Sequence, residues 1–230
     1  AFRWLEAHRP SPGPTAVVHG DFRLGNLMIG ADGLRSVLDW ELAHLGEPLE
    51  DLGWLCVRAW RFGESLPVAG LGTREELFAA YEVAGGDSVD PEAALWWEVL
   101  GTLRWGAICL LQADVHLSGA SRSVELAAIG RRTCETEYDL FLLLEDDDIR
   151  RASVAASADS GLVLGSPGAV HGRPTVAELV EAVREFLEGD VQASTEGRAR
   201  FHARVSAKVL AMVERELTLG PAQAARHADR

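Results

Sequence analysis

The strongest constraint on how this chain folds is a short polar loop, Val18-His19-Gly20-Asp21-Phe22-Arg23-Leu24-Gly25-Asn26, enclosed by apolar runs. Ala16, Val17 and Val18 precede it and Leu27, Met28 and Ile29 follow, and both runs read as short buried strands. Gly30-Ala31-Asp32-Gly33 supplies turn residues, after which Leu34-Arg35-Ser36-Val37-Leu38 reads as a returning strand that delivers Asp39 to the same end. A hairpin of this kind brings Asn26 and Asp39 together. On its own, His19-Gly20-Asp21 would read as a turn in which Asp caps a backbone amide. With Asn26 and Asp39 in register, the set supplies what phosphoryl transfer needs: oxygen ligands for magnesium on nucleotide phosphates, and a carboxylate to orient the attacking hydroxyl.

The order His-x-Asp-x4-Asn, then strand, turn and a strand ending in Asp, follows the protein-kinase pattern of catalytic loop and metal-binding Asp. With His19-Gly20-Asp21 and Asp39-Trp40-Glu41 as its tripeptides, the segment resembles the aminoglycoside phosphotransferase-like family of small-molecule kinases. Within that family it is most similar to the branch linked to acyl-CoA metabolism. That similarity rests on His19 through Met28, on Leu38-Asp39-Trp40-Glu41-Leu42, and on Leu45-Gly46-Glu47-Pro48-Leu49-Glu50-Asp51-Leu52-Gly53-Trp54.

The resemblance implies roles residue by residue. Asp21 is the catalytic carboxylate, Asn26 and Asp39 hold Mg2+ on ATP, and His19 braces the loop. Met28 and Leu38 stand where similar kinases back the adenine ring, although core packing explains them equally well. Asp51 has two readings, a cap for the helix entering at Leu52 and, by resemblance, a buried carboxylate that anchors the catalytic loop. Arg23 either neutralises phosphate or pairs with a neighbouring acid, and Glu41 either adds charge near the metal or faces solvent.

Kinases of this fold also carry an N-terminal nucleotide lobe with a strand Lys. The single Lys, Lys208, lies far downstream, and no G-x-G-x-x-G or Walker run occurs. The expectation is therefore a chain with that lobe absent, binding ATP weakly by itself. A net charge of −13 disfavours a nucleic-acid partner. Arg131-Arg132, Arg150-Arg151 and the group Arg198, Arg200, Arg204 read more simply as solvated helix faces than as a CoA site. No apolar run approaches the roughly 18 residues of a membrane span. Cys56, Cys109 and Cys134 are widely spaced and read as free thiols, which favours a reducing, cytoplasmic setting.

Beyond the hairpin the pattern is helical. Helices are expected over Glu50–Trp60, Thr73–Ala84 (a Thr73/Glu76 capping box with Gly85-Gly86 as stop), Pro91–Leu117 and Ser121–Leu144. Trp54, Trp60, Trp96, Trp97 and Trp105 read as an aromatic core, with an acceptor pocket as the alternative; Trp60 and Trp97 are the candidate substrate contacts. Ala, Ser, Gly and Pro then dominate a linker. A capping box at Thr175/Glu178 opens a helix that Gly189-Asp190 should end, and a second amphipathic helix spans Glu196–Leu217. This pair is too small to bury both faces alone. Through Arg173-Pro174-Thr175 and Phe201-His202-Ala203-Arg204-Val205 it resembles a small uncharacterised helical domain found with phosphotransferase-like and acyl-CoA dehydrogenase-like proteins. His202 reads as structural.

The expected fold is mainly α with a small β-hairpin: the C-terminal lobe of a protein-kinase-like fold over residues 1–149, a flexible linker over 150–174, and a helical hairpin accessory segment over 175–230. The expected function is ATP-dependent phosphoryl transfer to a hydroxyl of a small molecule, a hydroxyacyl-CoA by resemblance. A non-catalytic scaffold bound to an acyl-CoA dehydrogenase-like protein or to a missing N-lobe is the alternative, and an aminoglycoside kinase a third reading.

Overall fold

The computed structural model describes residues 1–144 and 172–228, with side chains to 220. It is mostly helical with small antiparallel sheets. The expected boundary at 149 and linker residues 150–171 lie outside the described residues.

Two compact units are distinguished. The first holds, of the described residues, 1–105 and 136–144, and the second 106–135 and 172–228. In the first, helix α1 (Phe2–Ala7) leads to β1 (Ala16–Val18). The loop then makes a 3-10 turn over Leu24–Asn26 before the hairpin β2 (Leu27–Gly30) and β3 (Gly33–Val37). A second 3-10 turn at Trp40–Leu42 leads to β4 (His44–Gly46), an element with no counterpart in the sequence expectations, which pairs antiparallel with β1. There are thus two separate two-stranded ribbons, β1-β4 and β2-β3.

The strands are buried only in part: Val18 is fully buried, but Val17, Ile29 and Leu34 are exposed, because each two-stranded ribbon lies open on a face. Met28 and Leu38 are exposed too, at 49% and 43%, so core packing does not account for them.

Helix α2 (Leu49–Cys56) is shorter than expected. Val57 leaves helical geometry at φ −55, ψ 131, and the chain resumes as a 3-10 turn over Arg58–Trp60. Helix α3 (Arg74–Val83) starts on the Thr73/Glu76 capping box and stops at Gly85, whose φ of 102 suits glycine. Helix α4 (Pro91–Leu117) contributes residues to both units. It is long and apolar enough to cross a membrane by length and composition. Inside it, however, Glu98 is buried against Arg61 and Arg74, as in the core helix of a folded unit.

The expected helix over Ser121–Leu144 is two helices, α5 (Val124–Arg131), capped by Ser123, and α6 (Thr133–Leu144). In the second unit, α7 (Val176–Phe186) starts on its Thr175/Glu178 capping box. Gly189 does not end the helical run, which continues as a π turn over Leu187–Val191 and one more turn at Gln192–Ser194. Helix α8 (Gly197–Ala228) outruns the expected Leu217. It packs on α7, with Arg184 reaching Glu214, while α7 also packs on α5 and pairs its Glu185 with Arg122, just ahead of the α5 cap. His202 pairs with Arg198 one turn away on α8.

Candidate active site

The loop is held from beneath by one carboxylate. Asp51, in the first turn of α2, accepts the backbone N–H of His19 at 2.7 Å and of Gly20 at 3.0 Å. The helix cap position is Pro48 instead. Gly20 sits at φ 81, and a Cβ there would lie 2.6 Å from the Leu42 carbonyl oxygen, so close approach and backbone geometry both demand glycine.

His19 is 2% exposed and its two ring nitrogens have opposite tasks. Nδ1 accepts the Asp21 backbone N–H at 3.1 Å. Nε2 must then carry the proton and donate to the Leu38 carbonyl at 2.8 Å. A neutral ring fixed in this tautomer, and packed on Trp40 at 4.6 Å, ties the loop to the end of β3.

Asp21 is the hub. Its Oδ1 accepts the Trp54 indole N–H at 2.8 Å, its Oδ2 accepts Asn26 Nδ2 at 2.8 Å, and Arg23 Nε spans both oxygens at 3.2 and 3.0 Å. Arg23 also lies 5.0 Å over the Trp60 ring. Its pairing is thus with a neighbouring acid. Asn26 Nδ2 further donates to the Asp21 carbonyl at 2.9 Å. Both of its partners are acceptors only, which fixes the amide orientation and turns Oδ1 away with no donor among the described residues.

Leu38 N–H donates to the Asn26 carbonyl at 2.8 Å, so Asp39 directly follows the residue paired with Asn26. Asp39 is exposed, has no side-chain partner among the described residues, and adopts a left-handed conformation at φ 66, ψ 58. A non-glycine residue held there costs roughly 1–3 kcal/mol and marks a constrained site. Glu41 is exposed in the next 3-10 turn and unpaired among the described residues. Among the described residues, Asn26 Oδ1 and both oxygens of the Asp39 carboxylate, just past β3, are therefore left without protein partners. This donor set fits magnesium, which takes one or two protein oxygens and otherwise phosphates and water.

The tryptophans form contacts of two kinds. Trp54, Trp60 and Trp105 meet in series at 5.3 and 4.8 Å, tilted and then edge-on, with Trp54 and Trp60 only 3% and 6% exposed, while Trp96 and Trp97 meet edge to face at 5.1 Å. Among the described residues, Trp60 Nε1 and Trp97 Nε1 are buried without a hydrogen-bond acceptor. Packing describes Trp54 and Trp60 better than an open pocket does. A cleft of about 260 Å3 in this unit is lined by Pro10, Glu47, Tyr81, Asp87, Val89 and Asp90 among others, and includes none of the candidate site residues.

Sequence reasoning did not place Trp54 on Asp21. The available signal was its spacing from Asp51: residues three apart on a helix share a face, so α2 presents both to the same loop.

Comparison with known proteins adds family context. The phosphotransferase enzyme family pattern (APH) matches residues 1–96, and a domain of unknown function (DUF6285) matches residues 193–230. The chain is similar to mouse acyl-CoA dehydrogenase family member 11, with 33% identity over 216 residues, covering 87% of this chain and 26% of that protein. It is also similar to mouse acyl-CoA dehydrogenase family member 10, with 37% identity over 92 residues, covering 34% of this chain and 8% of that protein. The chain thus spans about a quarter or less of these relatives. A solved structure from Ralstonia eutropha, described as a candidate aminoglycoside phosphotransferase, shares the fold at TM-score 0.50 and 24% identity, covering 62% of this chain and 46% of that one.

Proposed function

From a chain whose residues 1–96 match the phosphotransferase enzyme family, we propose that it is the carboxy-terminal lobe of an ATP-dependent small-molecule kinase, phosphorylating a hydroxyl group. Asp21 orients the acceptor hydroxyl and takes its proton as that oxygen bonds to the γ-phosphorus of ATP and the bond to ADP breaks. Asn26 Oδ1 and Asp39 would hold magnesium, which would supply charge neutralisation on the nucleotide phosphates. Met28 and Leu38, exposed on the hairpin, offer an apolar face to the adenine. The observation that carries this reading is the Asn26 side chain, whose amide nitrogen is committed to Asp21 while its oxygen, like the Asp39 carboxylate, has no partner among the described residues and is left for a cation.

The acceptor inferred is a hydroxyacyl-CoA, in keeping with the acyl-CoA dehydrogenase names of the relatives. Arg23, paired with Asp21 and partly exposed, is the nearby cation that a phosphate-bearing molecule would engage.

Replacing Asp21 by Asn in the full-length gene product should lower turnover on hydroxyacyl-CoA acceptors by roughly 10²- to 10⁴-fold, the usual contribution of a positioned proton acceptor. Calorimetry should find Mg-ATP affinity almost unchanged. Normal turnover in Asp21→Asn, or faster turnover on aminoglycosides than on acyl-CoA compounds, contradicts the respective part of the reading.

A further inference from the structure

We propose that Trp54 is the positioning residue of the Asp21 carboxylate: its indole N–H fixes Oδ1 permanently, and Arg23 is the one donor that leaves when the acceptor arrives. This rests on the phosphotransfer reading above. A carboxylate offers about four acceptor sites, and three donors crowd this one: Trp54 on Oδ1, Asn26 on Oδ2, and a single Arg23 Nε–H shared between both oxygens and closing the space between them. An incoming hydroxyl therefore needs one donor to withdraw. Asn26 cannot do so without turning its oxygen away from the metal position.

Trp54 has nowhere to go. It is buried on α2, packed at a tilt against Trp60, with the Arg104 guanidinium 5.0 Å from its ring, and Gly101 of α4 lies so close that an added Cβ there would stand 3.2 Å from Trp54 Cε3. One helical turn before it, Asp51 grips the two amides that precede Asp21. Helix α2 thus sets both the loop backbone and the carboxylate plane. Arg23 differs: its side chain is 29% exposed, and it rests on the Trp60 ring, a surface along which a guanidinium can slide. An indole N–H also has a chemical merit here. It donates a hydrogen bond but has no acceptor capacity and does not release its proton near neutral pH, so it orients the carboxylate without competing for the acceptor's proton.

The test is Trp54→Phe, which keeps an aromatic ring and loses the donor. In the full-length gene product it should lower kcat by roughly 10- to 100-fold, as misplacement of a reacting group does, with KM for ATP unchanged. Its effect should vanish in an Asp21→Asn background, because the two residues act as one unit. Independently of turnover, the Trp54 indole proton, assigned by NMR from its loss in Trp54→Phe, should move upfield in Asp21→Ala. Full activity in Trp54→Phe, a loss that multiplies with that of Asp21→Asn, or an indole resonance indifferent to Asp21→Ala overturns the proposal. If instead Asp21→Asn itself retains activity, the phosphotransfer reading fails, whatever Trp54 does.

Discussion

Cys56 and Cys109 lie deep in their respective units, and burial pushes their thiols up to about 12 and about 11, with the Glu98 carboxylate adding to the rise at Cys56. An unfolded thiol ionises near 8.5. Between these values the unfolded chain has released the proton and the folded one has not, so folding is favoured by bound protons and stability falls as pH rises. The effect is absent below about pH 8 and grows through the window up to about 11, at roughly 1.4 kcal/mol per pH unit for each thiol. Urea unfolding at pH 8, 9 and 10 should show this decline, and Cys56→Ala should make it shallower; an identical slope in the variant contradicts it. Free thiols were legible in the wide spacing of the cysteines. The grouping of the candidate residues was legible in the same local way, because Asp21, Asn26 and Asp39 lie on one loop and one hairpin. The atoms that face each oxygen were not, since the Trp54 donor arrives from 33 residues away.

Helix starts could be read wherever the signal is chemical and local. Thr73/Glu76 and Thr175/Glu178 both close reciprocal capping boxes. Helix interruptions were less legible. Nothing local marks Val57, where α2 ends early and Trp60 then meets Trp54 and Trp105, and the break between α5 and α6 falls at Arg132, two residues after Gly130, a weak signal that the helical pattern around it masks. Gly189 shows the converse: a residue that stops helices in isolation is carried through a π turn. Gly53 is a further case. In an exposed helix, Gly→Ala would stabilise by about 1 kcal/mol. Here a Cβ at Gly53 would meet Trp97 C and Cβ at 2.7 Å and Glu98 N at 2.8 Å, so α2 and α4 cross where only glycine fits. Gly53→Ala should lower stability by roughly 1–3 kcal/mol, read as a drop in Tm; a raised Tm shows that the crossing relaxes freely.

Across the first unit, one buried carboxylate joins elements distant in the chain. Glu98 of α4, 1% exposed, receives two hydrogen bonds from Arg74 at the start of α3, at 2.8 and 2.7 Å, and one from Arg61 after the 3-10 turn, at 3.2 Å. Arg61 also donates to the Cys56 carbonyl at the end of α2. Removing one partner from such a group leaves uncompensated buried charge, so Glu98→Gln should cost roughly 3–5 kcal/mol in denaturant unfolding. A loss below about 1 kcal/mol means that water or rotation of the arginines compensates.

What the amino-acid order settled is whatever a few neighbouring residues can enforce: the loop, the hairpin that sets Asp39 next to Asn26's partner, the capping boxes and the helical character of the remainder. Folding in three dimensions settled the rest, namely the pairing of β1 with β4, the open faces of both ribbons, the Glu98 network and the donors surrounding Asp21. Those depend on contacts between segments tens of residues apart, where burial and geometric fit outweigh local preference, and no short window of sequence carries that information.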